Sequence, residues 1–241
     1  MSLRVLVTRP KDEAKDYANE LQAQGFESLL APMLDIVSIP FEIPSDFDAL
    51  IFTSAQGVRV YVDGGGAVIG RVFCVGKYTA RAACDAGFDD VVDVRGTGAD
   101  IVDFIVSDAA FAGLKFLHIG GRHVAFPIAE ALCQVGLSCV HVPVYEARTV
   151  DEIPANIVCA IRESKVDVVT FFSKRTAENF LDLIGKNGLS SHLDTIKCLS
   201  ISDAVIECVR LYKYEWSGLY VSLKPDRAGM LEQLKQIEGE V

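Results

Sequence analysis

No apolar run among the 241 residues approaches the ~18–20 residues that a membrane-spanning helix needs. Basic residues are in the minority: Lys and Arg total 23 against 33 Asp and Glu, a formal net charge of −10. A chain this acidic lacks the footprint of a non-specific nucleic-acid binder, so neither nucleic acid nor a membrane is expected as a partner. No Cys-x-x-Cys pair occurs. The seven cysteines (Cys74, Cys84, Cys133, Cys139, Cys159, Cys198 and Cys208) lie mostly in apolar stretches and read as buried thiols in a reducing, cytoplasmic setting. His118, His123, His141 and His192 show no metal-ligand spacing, so no metal is expected. Gly64-Gly65-Gly66 and Gly96-Thr97-Gly98 lack a Walker lysine or a full dinucleotide fingerprint, and no Gly-x-Ser-x-Gly elbow occurs. Residues 1–10 carry too short an apolar run for a signal peptide and are expected to form a first strand instead.

What is there is enough to fold. Half the residues are hydrophobic and 23% charged, which suits one large or two small domains. Short apolar runs at 3–7, 49–53, 72–75, 91–94, 116–119, 166–172, 196–201 and 219–223 read as strands. Helical periodicity lies between them; Ala14, Tyr17, Ala18 and Leu21 share one helix face, and 79–86, 128–135, 176–184 and 230–237 behave alike. Strands apolar on both faces and separated by helices imply parallel sheets in α/β layers.

Two extended segments break the rhythm. One runs from Ala31 to Pro40, the other over 138–150 through Val142-Pro143-Val144-Tyr145-Glu146. They bracket a block of regular βα units, which suggests one domain inserted into another through a double connection. The plainer alternative is two consecutive domains on a single linker. A weak internal repeat favours two similar domains: residues 48–54 resemble 167–173, and the pair Cys74, Cys84 has its match in Cys198, Cys208.

In open α/β sheets ligands bind beyond the carboxyl ends of the strands. Those ends carry Thr8-Arg9-Pro10, Thr53-Ser54-Ala55-Gln56-Gly57, Gly76-Lys77-Tyr78-Thr79, Gly120-Gly121-Arg122, Ser173-Lys174-Arg175-Thr176 and Ser202-Asp203. Small hydroxyl residues and glycines let a ligand reach the backbone, and helix N-termini favour anions. Arg9, Lys77, Arg122, Lys174 and Arg175 add positive charge, so a polyanion site is expected; taken one at a time, each junction also reads as an ordinary helix cap with a solvated cation. Tyr145 lies in the second connecting segment, where a phenol can donate to a departing hydroxyl or simply pack with its OH in water.

In order and spacing, Val5-Leu6-Val7-Thr8-Arg9-Pro10, Leu29-Leu30-Ala31-Pro32-Met33-Leu34, residues 47–58, residues 72–80, Val142-Pro143-Val144-Tyr145-Glu146-Ala147 and Val169-Thr170-Phe171-Phe172-Ser173 together resemble the uroporphyrinogen-III synthase family over nearly the whole chain. The resemblance implies two similar flavodoxin-like, doubly wound parallel-sheet α/β domains joined by a two-stranded β-ladder, with the site in the cleft. The implied boundaries are 1–34 with 149–241 for the first domain, 41–142 for the inserted one, and 35–40 with 143–148 for the ladder. It implies cyclisation of hydroxymethylbilane, a linear tetrapyrrole with eight carboxylates, with inversion of the terminal pyrrole ring and loss of water, by a cytoplasmic monomer without metal or cofactor. Tyr145 and Thr79 take the catalytic positions. Thr8, Arg9, Thr53, Ser54, Gly76, Lys77, Gly121, Arg122, Ser173, Lys174 and Ser202 are the expected substrate-binding set. There are departures: Ser202 and Val205 stand where the family usually has Gly and Thr, and the Gly120-Gly121 junction lacks a preceding basic residue, for which Arg122 or His123 would stand in. Valine cannot hydrogen-bond a carboxylate, which is the feature favouring the alternative, a non-catalytic tetrapyrrole- or polyanion-binding protein of the same fold. A two-lobed periplasmic-type binding protein fits less well with unpaired cysteines.

Overall fold

The computed structural model describes residues 2–239. In chain order the first elements are β1 (Arg4–Val7), α1 (Lys11–Ala23), β2 (Glu27–Leu30), β3 (Leu34–Ser38), β4 (Ala49–Phe52), α2 (Ala55–Asp63), β5 (Arg71–Val75), α3 (Lys77–Asp85), β6 (Asp90–Val94) and α4 (Gly98–Ser107). There follow β7 (Lys115–Gly121), α5 (Ile128–Gln134), β8 (Ser138–Thr149), α6 (Ala155–Arg162), β9 (Val168–Phe171), α7 (Lys174–Lys186), β10 (Lys197–Ser200), α8 (Asp203–Leu211), β11 (Gly218–Val221) and α9 (Arg227–Gly239). Among the described residues no helix is long and apolar enough to cross a membrane. The chain divides into two compact units, Met1–Asp35 with Arg148–Val241, and Ile36–Ala147.

The first unit is built on a five-stranded sheet in the order β11-β10-β9-β1-β2, with every neighbouring pair parallel. Its inner strands β1, β9 and β10 are buried on both faces because helices cover both. Tyr17 and Leu21 of α1 pack with Met230, Leu234 and Ile237 of α9 on one side. Ile157 of α6, Phe180 of α7 and Val209 of α8 fill the other. The two connecting segments enter this unit side by side: Val150 N donates to Met33 O, and Asn179 of α7 donates from Nδ2 to both Met33 O (2.9 Å) and Val150 O (3.0 Å). One amide thus binds a carbonyl beside the end of each connecting strand. Asn179→Ala is expected to lower stability by about 1–3 kcal/mol, read as a fall in the urea midpoint at constant slope.

The second unit has a six-stranded sheet, β3-β8-β7-β4-β5-β6. Strands β8, β7, β4, β5 and β6 pair in parallel. Ile39 N donates to Val144 O, whereas Val150 N donates to Met33 O; advancing along one segment means retreating along the other, so β3 runs antiparallel to β8. The connecting ladder is therefore continuous with this sheet. Helices α2 and α3 cover one face around Phe52, Tyr61 and Phe88; α4 and α5 cover the other around Phe73, Phe116 and Leu132.

The strand orders expose the nature of the repeat. Laid strand on strand, β2-β1-β9-β10-β11 matches β8-β7-β4-β5-β6. The chain is thus two successive copies of one pattern, and each unit takes its strands from both copies. Register corrects one expectation. Phe52 lies beside Cys74 and the equivalent Phe171 beside Ser200, so the counterpart of Cys74 is Ser200. The cysteine pairs matched in sequence are out of step by one pleat, because a shared spacing of ten residues says nothing of register. The same alignment sets Gly76 against Ser202 and Thr79 against Val205.

Candidate active site

Each sheet reverses its strand order once, and a crevice opens at that point beyond the strand ends. In the first unit the reversal falls between β1 and β9; in the second, between β7 and β4. The predicted junction residues gather around these two points.

In the second unit Ser54 caps α2, its Oγ accepting from Gly57 N at 3.1 Å. The same Oγ lies 3.2 Å from the Tyr145 hydroxyl. Tyr145 reaches Ser54 through an irregularity in β8. Gly120 pairs with Pro143 but Gly121 pairs with Tyr145, so Val144 is an extra residue in the ladder. Pro143 has no N–H to give a ladder bond, and a bulge at that place re-aims the following side chain. As a result Val144 and Tyr145 both join the cluster around Phe52 and Val58. The tyrosine ring rests on Gly121: a Cβ there would lie 2.9 Å from Cε2 and 3.3 Å from the hydroxyl oxygen. Arg122 N donates to Tyr145 O at 2.8 Å, and its guanidinium pairs with Glu146 at 3.1 Å. Ser54, Gly121, Arg122 and Tyr145 are thus brought together, with Thr53 between the end of β4 and Ser54.

One strand over, Gly76 opens α3 with φ 78°, a left-handed conformation that a side chain resists. Thr79 is buried in the first turn, and its N–H is taken by Gly76 O. Lys77 is exposed, with Nζ 5.0 Å from the Tyr78 ring centroid.

In the first unit the counterparts are more tightly committed to the protein itself. Thr8 is fully buried; its hydroxyl donates to Thr170 O at 2.7 Å, and Thr170 returns a bond to Leu6 O. Arg9 lies over the Phe172 ring at 4.2 Å and pairs with Glu13 one turn along α1. Ser173 caps α7, accepting from Thr176 N at 3.2 Å with Thr176 Oγ1 3.0 Å away. Lys174 is exposed. Ser202 opens α8 in extended backbone, φ −156°, with its side chain making no cap bond. That conformation differs from the left-handed Gly76, so serine replaces glycine here without strain. Val205 is buried.

Sequence reasoning missed the carboxylates that answer the cations. Glu13, one helical turn after Arg9, was legible as an i,i+4 partner; Glu146 was not, because the bulge decides where it points. It also missed buried His118 and half-buried His141, neighbours across β7 and β8.

Two doubly wound sheets, each with polar strand-to-helix junctions at its switch point, define a two-unit α/β protein. The comparisons with known proteins narrow this. The family described as "Uroporphyrinogen-III synthase HemD" matches residues 15–232. The uroporphyrinogen-III synthase of Chlorobaculum parvum is 27% identical over 237 residues, covering 92% of each chain. That of Synechococcus elongatus is 28% identical over 201 residues, 76% of this chain and 75% of its own. A crystal structure of uroporphyrinogen-III synthetase from Helicobacter pylori covers 98% of this chain and 100% of that one at 16% identity, with a TM-score of 0.66, which shows the shared fold. The chain belongs to the uroporphyrinogen-III synthase family, cyclising lyases of tetrapyrrole biosynthesis.

Proposed function

We propose that this chain closes hydroxymethylbilane into uroporphyrinogen III, with Tyr145 assisting departure of the terminal hydroxyl. The observation that carries the reading is the Ser54–Tyr145–Gly121 cluster at the switch point of the second unit. Ser54 Oγ accepts from Gly57 N and shares a hydrogen bond with the Tyr145 hydroxyl in which either oxygen can donate; in this reading the serine is the donor. In this reading the Tyr145 hydroxyl donates to the leaving hydroxyl of the bound substrate. The C–O bond breaks, water leaves with the tyrosine proton, and Ser54 supports the phenolate. The substituted carbon of the terminal pyrrole attacks the azafulvene, giving a spiro intermediate that reopens and recloses. The proton lost when the last pyrrole regains aromaticity restores the phenol.

Positioning carries most of the work, since unguided closure yields the non-inverted isomer. Holding the chain in a near-attack arrangement is worth up to ~7–11 kcal/mol in favourable cases. In this reading the carboxylate arms are held by Thr53, Gly76, Lys77, Thr79, Gly121 and Arg122 of the second unit and by Thr8, Arg9, Ser173, Lys174 and Ser202 of the first. Exposed Lys77 and Lys174 supply long-range attraction, while Arg9 needs Glu13 to release it before it can grip an arm. The chain works as a cytoplasmic monomer, in keeping with seven free cysteines. Incubation with freshly prepared hydroxymethylbilane is expected to give the type III isomer. Type I product alone, with the tetrapyrrole bound but not turned over, would instead establish the non-catalytic binding protein.

A further inference from the structure

We infer that His141 is a positioning residue for Tyr145, acting through the Gly121 carbonyl on which the phenol's seat depends. The inference rests on the role given to Tyr145 above. His141 hydrogen-bonds to the Gly121 carbonyl. Its Nε2 is buried and has no hydrogen-bond partner among the described residues, so the bond is made by Nδ1–H. That fixes one tautomer and one ring orientation. Gly121 is held at a place where the regular ladder is out of step, between the paired Gly120 and Pro143 and the bulged Val144. On one side the Gly121–Arg122 turn accepts from His141; on the other, Arg122 N donates to Tyr145 O, and the Tyr145 ring lies flush against Gly121 Cα. A turn pinned from both sides leaves the phenol little freedom to slide away from Ser54.

His118 completes the device. It is 1% exposed, its Nε2 also lacks a partner, and its ring centroid lies 4.9 Å from that of His141. Both Nε2 atoms converge on Gly120, whose missing side chain leaves them room: a Cβ there would stand 3.5 and 3.7 Å away. Burial disfavours a charge on either ring, which keeps His141 in the neutral form whose single N–H the carbonyl uses.

The test compares His141→Asn, whose amide N–H falls near the Nδ1 position, with His141→Gln, whose amide reaches the Nε2 position instead, and with His141→Leu. Each is read in the full-length protein by kcat and KM separately, and by 19F NMR of fluorotyrosine-labelled protein, the 145 resonance being assigned by its loss in Tyr145→Phe. The expected result is a kcat about tenfold lower in the Gln and Leu variants with KM within about twofold, and a displaced 145 resonance. Asn restores both to near the parent. In the Tyr145→Phe background the Leu substitution has no further effect on kcat, since the two act as one unit. An unmoved 145 resonance in the Gln variant, or effects that simply add in the double variant, would overturn the inference. Full activity of Tyr145→Phe alone would sink the role of the tyrosine, while the resonance still reports whether His141 places it.

Discussion

Tyr145→Phe is expected to lower kcat about a hundredfold while leaving KM for hydroxymethylbilane nearly unchanged. The substitution removes one oxygen from a ring that otherwise stays seated on Gly121, and the shape of the site is preserved. The lost oxygen is the atom 3.2 Å from Ser54 Oγ. Its loss leaves hydroxyl departure to water, so the step that forms the azafulvene slows; binding of the carboxylate arms involves other residues. A purely packing role for the tyrosine predicts parent-like kcat. Isomer composition is a second readout of the same variant. If positioning and leaving-group assistance are separate, the slow variant still releases type III product, and a rise in type I would mean that the phenol also guides ring inversion.

The second large effect concerns acid. Burial pushes the His118 imidazole down from the usual 6.5 to about 4, with the neighbouring His141 adding to the effect. A histidine whose folded pKa is depressed resists protonation only while folded. The unfolded chain takes up the proton first, near pH 6.5. Stability is therefore complete above that value and drains away as the pH falls from 6.5 to about 4, by about 3 kcal/mol for this group. His141, also lowered but drawn back by Glu130, contributes in the same direction. Urea midpoints collected across this range are expected to fall steeply for the parent and less steeply for His118→Leu. Parallel slopes in the two proteins would show that the imidazole is not held neutral.

Much of the architecture was legible because it rests on short-range pattern. Apolar runs such as 49–53 and 116–119 became central strands, and the amphipathic stretch after Thr8 became α1. The junction residues were legible for the same reason: a strand end followed by Ser or Gly and then a helix marks the place where ligands bind, whatever the fold's detail. What the sequence concealed depends on register. Strict alternation along β8 would set Tyr145 on the face of His141 and Pro143. The extra residue at Val144 carries it to the opposite face, onto Gly121 and Ser54. No local signal other than the proline foretells that. The cysteine repeat failed likewise, since the counterpart of Cys74 is decided by which strand residue lies beside it. The availability of cations was also hidden: Arg9 and Arg122 read as free charges, yet each answers a carboxylate nearby.

The exchange of strands between the two copies of the repeat governs the order in which the protein can be made. Ile36–Ala147 is a continuous stretch and can close its sheet while the ribosome is still at work. The other unit cannot. Its strand β1 emerges before the whole of Ile36–Ala147, yet one of its two neighbours, β9, is Val168–Phe171. Until that segment appears, Arg4–Val7 waits with one edge unpaired, so a strand made before the whole of the other unit is locked in place after it.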